Sequence, residues 1–307
     1  MKVLCSGAHG LVGRALTANL AADGHEVVAM VRPASSGAPP QGATVWWDPA
    51  DGTVDDRALA AAGPYRAVVH LAGAGIGDRR WTPARRREVR DSRVASTRTL
   101  VGALRRLDPP PPVLVSGSAV GYYGDRGDEI LGEDSPPGGG FLADLCREWE
   151  GEASAAEDLL RVVRVRSGVV LARHGGLLAR LLPPFRLGLG ARLGRGEQWT
   201  SWISLRDEVA VLRRAIDDEG LAGPVNATAP EPVTNAAFTA LLARSVDRPA
   251  FLALPAPVLE LALGRGMAHE MLLAGQRVLP GVLSARGMPF ADPTLEAALA
   301  GPLAPET

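Results

Sequence analysis

Six short apolar runs separated by helix-length stretches fill the first half of this 307-residue chain, and that alternation restricts the fold more than any other feature. Lys2 to Ser6, Glu26 to Val31, Thr44 to Trp47, Ala67 to Leu71, Val113 to Ser116 and Val162 to Val165 read as buried strands. Short β-branched runs bounded by turn residues suit a sheet covered on both faces. Between them, Leu16 to Ala22, Asp55 to Ala62, Pro83 to Leu107 and Phe141 to Leu160 read as helices, and Pro33 to Gly42 as a Pro/Gly/Ser loop. The long arginine-rich helix stops at Asp108 and four prolines, because proline cannot continue a helix. Strands and helices alternating in this way predict an α/β fold, a doubly wound parallel sheet with helices on both faces.

Past Gly168 the rhythm loosens. Gly188 to Gly196 reads as a loop, Asp207 to Asp217 and Ala236 to Val246 as helices, and Val225 to Ala227 as a strand. Leu252 to Leu299 reads as helical, broken by Pro255, Pro257, Pro280 and Pro289. The expected organisation is a nucleotide-binding domain over 1–225 and a smaller, mainly helical C-terminal lobe over 226–307 that covers the substrate. No internal repeat at a fixed period is visible.

Composition removes several function classes. A net charge of −1 gives no electrostatic case for a nucleic-acid or anionic-membrane partner. Two cysteines, Cys5 and Cys146, exclude a disulfide framework or a Cys-rich zinc site, and five scattered histidines lack metal-ligand spacing, so no metal is expected. Lys2 is the single lysine among 33 basic residues, so a mechanism that needs a catalytic lysine is all but excluded. The glycine turn from Gly7 cuts off any signal-peptide core, and no run of about 18 apolar residues occurs. The expectation is a soluble cytoplasmic protein.

The first strand leads into Gly7-Ala8-His9-Gly10-Leu11-Val12-Gly13. Glycines spaced G-x-x-G-x-x-G let the backbone approach a pyrophosphate, and the following helix offers free N–H groups and the positive end of its dipole. Set between a buried strand and an amphipathic helix, the motif reads as a dinucleotide site rather than only a tight turn. Arg32 follows the second strand, nineteen residues after Gly13, with no carboxylate beside it. An acidic residue there would bond the adenosine ribose, whereas a guanidinium can clamp a 2′-phosphate. The position favours NADP(H) over NAD(H); a solvated surface arginine is the alternative.

GAHGLVG at the first turn, HLAGAGI after the fourth strand, RDSRVASTRTL on the long helix, SGSAVGYYG after the fifth strand and VRSGVVL after the sixth form a pattern. It resembles the extended or atypical short-chain dehydrogenase/reductases, nearest the epimerase-like group, whose fold is Rossmann-type. NATAPEPVTN (Asn226 to Asn235) and GQRVLP (Gly275 to Pro280) resemble that group's C-terminal domain of unknown function, here about 252–300. The resemblance implies that Leu71, Ala72 and Gly73 lie on the adenosine side of the cofactor. It also implies that Glu88 and Arg93 face the cofactor cleft, that Val170 lies near the nicotinamide and that Ser118 bonds the reacting carbonyl or hydroxyl. Extended relatives often dimerise through the two long helices; the sequence neither requires nor excludes a homodimer.

One departure bears on the chemistry. Active relatives use a Tyr-x-x-x-Lys pair on the helix after the serine strand, and alignment places Leu142 and Cys146 there. No tyrosine follows Tyr123 and no lysine follows Lys2. Tyr122 or Tyr123 could donate a proton in its place, although packing is the preferred reading of both; Cys146 reads as a buried, inert thiol and His70 as a structural hydrogen-bonder. Trp81, Trp199 and Trp202 could stack on a ring-bearing substrate or simply pack. Arg85, Arg86, Arg87 and Arg90 read as a solvated helix face. The sequence therefore points to an NADP(H)-binding oxidoreductase or epimerase-like enzyme of atypical mechanism acting on a small molecule. A cofactor-binding sensor that has lost catalysis is the alternative.

Overall fold

The computed structural model describes residues 1–32 and 43–300, so the expected Pro33 to Gly42 loop lies outside the described residues. In chain order the first part contains β1 (Lys2–Ser6), α1 (Leu11–Ala22), β2 (Glu26–Val31), β3 (Thr44–Asp48), β4 (Thr53–Val54), α2 (Asp56–Ala62), β5 (Ala67–His70), α3 (Pro83–Leu104) and β6 (Val113–Ala119). There follow β7 (Ile130–Leu131), α4 (Phe141–Ser154), β8 (Arg161–Ser167), β9 (Val169–Ala172), α5 (Gly176–Arg186), β10 (Ala191–Leu193), β11 (Trp199–Thr200), β12 (Trp202–Ser204), α6 (Leu205–Asp217) and β13 (Gly223–Ala227). The remainder holds β14 (Val233–Thr234), α7 (Asn235–Ser245), β15 (Leu252–Leu254), α8 (Ala256–Leu263), α9 (Arg265–Ala268), β16 (Arg277–Val278), α10 (Gly281–Ala285) and α11 (Leu295–Ala300).

The central sheet has eight strands in the order β13-β8-β6-β5-β1-β2-β3-β4. β1 pairs in parallel with β2 and β5, β2 with β3, and β5 with β6; β4 runs antiparallel to β3. The chain leaves β1 toward β2 and β3, then returns to the other flank at β5, so strand order reverses between β1 and β5. That reversal opens the crevice at the carboxyl ends of the strands in which a doubly wound sheet takes its ligand.

By packing, the chain divides into two compact units. One comprises Met1–Ser118, Leu145–Val165 and Val209–Pro224; the other Ala119–Asp144, Arg166–Glu208 and the segment from Val225 onward. In the first, Leu4, Val28, Val45, Leu59, Val68, Leu100, Leu104 and Leu114 are buried in one cluster. In the second, Leu171, Leu178, Phe185, Trp202, Phe238, Leu242 and Leu295 form another. Each fully buried aliphatic side chain contributes about 1.5–3 kcal/mol, so these clusters hold their units together.

Several boundaries move. α1 begins at Leu11 rather than Leu16, because the glycine turn itself opens the helix. α3 ends at Leu104, three residues short of Leu107, and α4 at Ser154 rather than Leu160, each followed by tighter turns such as Arg106 N–H to the Ala103 carbonyl and Leu159 N–H to that of Ala156. From Leu252 the prolines do more than interrupt helix: β15 and β16 appear between short helices, since a proline removes a donor and fixes its own φ. The Gly188 to Gly196 stretch holds the three-residue strand β10, paired in parallel with β15. Among the described residues no helix is long and apolar enough to cross a membrane.

Candidate functional site

The glycine turn closes where the strand order reverses. Gly7 has φ +74°, and a Cβ on it would stand 2.6 Å from the Leu71 carbonyl carbon and 2.8 Å from the Ala72 nitrogen. A Cβ on Gly13 would stand 2.2 Å from the Gly7 carbonyl oxygen, so these glycines are required by close backbone approach as well as by conformation. Gly10 donates its N–H to the Gly7 carbonyl at 2.9 Å and forms the N-cap of α1 without a capping side chain. The first N–H groups of a helix have no partner within it, and α1 carries no acidic residue in its first turn, where Leu11 and Val12 lie. Such an end favours an anion.

Around that turn the first unit gathers most of the expected cofactor residues. Arg32 is exposed directly after the last residue of β2. Leu71, Ala72 and Gly73 follow β5, the neighbour of β1 on the other side. A Cβ on Gly73 would stand 3.0 Å from Cζ of Arg93, whose Nη1 donates to the Ala74 carbonyl at 3.0 Å. Arg93 is buried, and that burial lowers it to about 10, with Cys146 beside it raising and Arg85 lowering it further. Glu88 pairs with Arg85 at 2.7 Å and Arg79 at 3.3 Å. The Arg85 hydrogen bond holds its carboxyl below the usual range. Val170 lies in β9 of the second unit, opposite Ile203 of β12.

Ser118 is buried near the end of β6 and donates its hydroxyl to Glu150 Oε1 at 2.7 Å. Glu150 stands on α4 one turn beyond Cys146, which stands one turn beyond Leu142, so the three share a helix face. Between them Trp149 lies across Gly117, 3.2 Å from where a Cβ would be, with the Arg93 guanidinium 5.3 Å from its ring centroid. Arg93 Nε and Trp149 Nε1 are buried without hydrogen-bond partners among the described residues.

Tyr123 belongs to the second unit, in the short turn Val120–Tyr123, and is fully buried. Its hydroxyl donates to Asn226 Oδ1 at 2.7 Å and accepts from Arg166 Nη1 at 2.9 Å. Burial pushes this phenol up, against the opposing pull of Arg166. The same guanidinium lies 3.6 Å over the Tyr122 ring, so both tyrosines pack into a hydrogen-bonded network. Glu133 extends it by accepting the Asn226 and Val282 N–H groups at 3.1 Å each.

Other candidates are held within their units. His70 accepts from Ser6 Oγ at 2.6 Å and donates from Nε2 to Thr97 Oγ1 at 3.0 Å, a tautomer inferred from Thr97, whose own proton goes to the Arg93 carbonyl. Burial and then Arg93 lower His70 to about 3, so it is neutral. Trp199 Nε1 donates to Asp128 at 2.7 Å, Trp202 Nε1 to the Glu231 carbonyl at 3.0 Å, and Trp81 Nε1 to the Ile76 carbonyl at 3.0 Å. Arg85 departs from the expected solvated face: it is buried and donates to the Gly75 carbonyl. Cys146 is buried. Among the described residues no group of three or more His, Cys, Asp and Glu side chains is placed to hold a metal ion.

Sequence reasoning missed three buried ionisable groups. Glu150 carried a signal, the repeat of four through Leu142 and Cys146. Arg166 carried none, since nothing local marks it as the partner of Tyr123. Glu208 carried none either: it is fully buried in the first turn of α6, accepts from Ser167 Oγ at 2.6 Å through Oε1, and has no partner for Oε2 among the described residues. Burial pushes it up to about 7.

Comparison with known proteins places these features in context. Residues 3–227 match the profile of the NAD dependent epimerase/dehydratase family, and residues 254–301 match a domain of unknown function. The chain is 44% identical to an epimerase family protein of Mycobacterium bovis over 298 residues, covering 97% of this chain and 96% of that protein. A crystal structure of human epimerase family protein SDR39U1 with NADPH superposes with a TM-score of 0.87 at 37% identity, covering 98% of each chain. The UDP-glucose 4-epimerase of Thermus thermophilus, at 19% identity with a TM-score of 0.78 over 98% of this chain and 97% of that one, shares the fold.

Proposed function

The chain belongs to the NAD dependent epimerase/dehydratase family, and from that premise we propose that it binds NADP(H) and acts as an oxidoreductase of atypical proton chemistry on a small molecule. One observation carries the reading. The backbone at Gly7 and Gly13 approaches so closely that no side chain fits, and the cradle ends at a helix start with no capping side chain and no acidic residue. That donor set fits a dinucleotide diphosphate. NADPH in the 37%-identical human structure supports the phosphorylated form.

In this reading Gly7, Gly10 and Gly13, with the N–H groups of Leu11 and Val12, hold the diphosphate. Arg32 pairs with the 2′-phosphate, and Leu71, Ala72 and Gly73 border the adenosine. When bound, the nicotinamide supplies or accepts a hydride. Arg93 keeps a buried positive charge against Gly73 and Trp149, and Ser118 presents its oxygen at the carboxyl end of β6. A second reading, a cofactor-binding module without turnover, is favoured by Leu142 and Cys146 standing where active relatives carry tyrosine and lysine.

Titration of the purified protein with NADPH and NADH, repeated on Arg32→Asp, tests the cofactor assignment. The wild type is expected to prefer NADPH and the variant to lose at least about tenfold in NADPH affinity, about 1.4 kcal/mol, with NADH little changed. Equal binding of both nucleotides by wild type and variant would refute the role of Arg32.

A further inference from the structure

We propose that Ser118 and Glu150 are the proton-handling pair of this site, Ser118 meeting the substrate oxygen and Glu150 taking the proton that Ser118 gives up. The proposal rests on the oxidoreductase reading and adds to it the group that stands in for the missing tyrosine and lysine. Both residues lie in the unit that holds the glycine turn. Ser118 stands at the carboxyl end of β6, next to β5 in the sheet, on the edge where such sheets bind ligands.

The hydrogen-bond direction gives the pair its chemistry. In the 2.7 Å contact Ser118 Oγ donates and Glu150 Oε1 accepts, so the proton belongs to Ser118. The serine oxygen is thereby left with lone pairs, and among the described residues no other group uses them. A ligand meeting Ser118 must therefore bring its own O–H, as an alcohol does. Glu150 is 5% exposed, and burying a carboxylate is costly unless hydrogen bonds serve it, so its place beside Ser118 is a specific arrangement. Trp149, lying across Gly117, fixes this part of α4 against β6.

The pair moves protons only. One passes from the substrate hydroxyl to Ser118 Oγ and one from Ser118 Oγ to Glu150 Oε1, leaving Glu150 neutral. The carbon's hydrogen leaves with its two electrons, and an oxidised nicotinamide dinucleotide is the co-reactant that accepts them; the C–O bond becomes C=O. Carbonyl reduction runs the same proton path backwards. Ser118 is then the catalytic residue and Glu150 a positioning residue that acts through it.

The test compares wild type, Glu150→Gln, Glu150→Asp and Glu150→Ala. NADPH consumption is followed with phenanthrenequinone and nitrobenzaldehyde as carbonyl probes, and NADPH affinity is read from tryptophan fluorescence. Glu150→Gln keeps an acceptor for Ser118 but cannot carry the proton; it is expected to lose about 100-fold in turnover or more. Its NADPH affinity is expected to stay within about twofold, because proton transfer is not part of cofactor binding. Glu150→Asp is expected to recover part of the rate, and formate to restore Glu150→Ala, which a purely structural carboxylate would not permit. Turnover by Glu150→Gln equal to wild type overturns the pair and leaves the oxidoreductase reading standing. Wild type that binds NADPH but consumes it with neither probe overturns both. Should Glu150→Gln melt early, formate decides: recovery of Glu150→Ala supports the pair, and its absence overturns it.

Discussion

Glu208 gives stability a pH dependence that one substitution isolates. Its carboxyl is buried, bonded to Ser167 through one oxygen and without a partner at the other among the described residues, and burial raises it from 4.5 to about 7. Folding thus makes it hold its proton more tightly. Below pH 4.5 both states are protonated and the stabilisation is complete. As pH rises the unfolded chain ionises first, stability falls, and the contribution is gone once the pH passes about 7. At roughly 1.4 kcal/mol per pH unit, the loss between pH 5 and pH 8 is on the order of 2–3 kcal/mol. Glu208→Gln keeps an acceptor for Ser167 and does not titrate. Urea unfolding of both proteins at pH 5 and pH 8 should show the variant gaining on the order of 2–3 kcal/mol on the wild type over that interval. The comparison matters because wild type alone hides the effect: His70, lowered to about 3, stabilises in the opposite sense, losing its contribution as pH falls from 6.5 toward 3. Curves for variant and wild type that run parallel from pH 5 to pH 8 would refute the assignment of a neutral, buried Glu208.

Two further substitutions separate binding from packing. Gly13→Ala puts a methyl group 2.2 Å from the Gly7 carbonyl oxygen, so about 1–3 kcal/mol of stability and measurable NADPH binding should be lost together, as a thermal melt and a fluorescence titration would record. Tyr123→Phe leaves Asn226 and Arg166 short of a buried partner and should cost about 1–3 kcal/mol in urea unfolding. Lost turnover in that variant at unchanged stability would instead make the Tyr123 hydroxyl a proton donor.

The glycine turn was legible because its signals are local. A glycine every third residue between a strand and a helix is a backbone statement, and Leu71 to Gly73 follow simply from the end of the next strand on the other side. The surroundings of Ser118 were less legible. Ser118 was visible through resemblance, but its partner Glu150 is 32 residues away in the chain, and only the four-residue spacing on α4 pointed to it. Glu88 was expected from resemblance to face the cleft, and its ion pairs with Arg85, three residues before it, and Arg79 were not read from the sequence.

Alternating apolar runs and the glycine spacing determined, from the sequence alone, an α/β chain with a glycine turn between its first strand and first helix. Those features depend on residues close together in the chain, where periodicity and φ preference act. The tertiary structure alone decided the eight-strand order, the two- and three-residue strands of the second unit, and the partners of Tyr123, Glu150 and Glu208. A buried polar group takes whichever partner the packing brings to it, and side chains far apart in the chain meet only after the sheet and helices have closed.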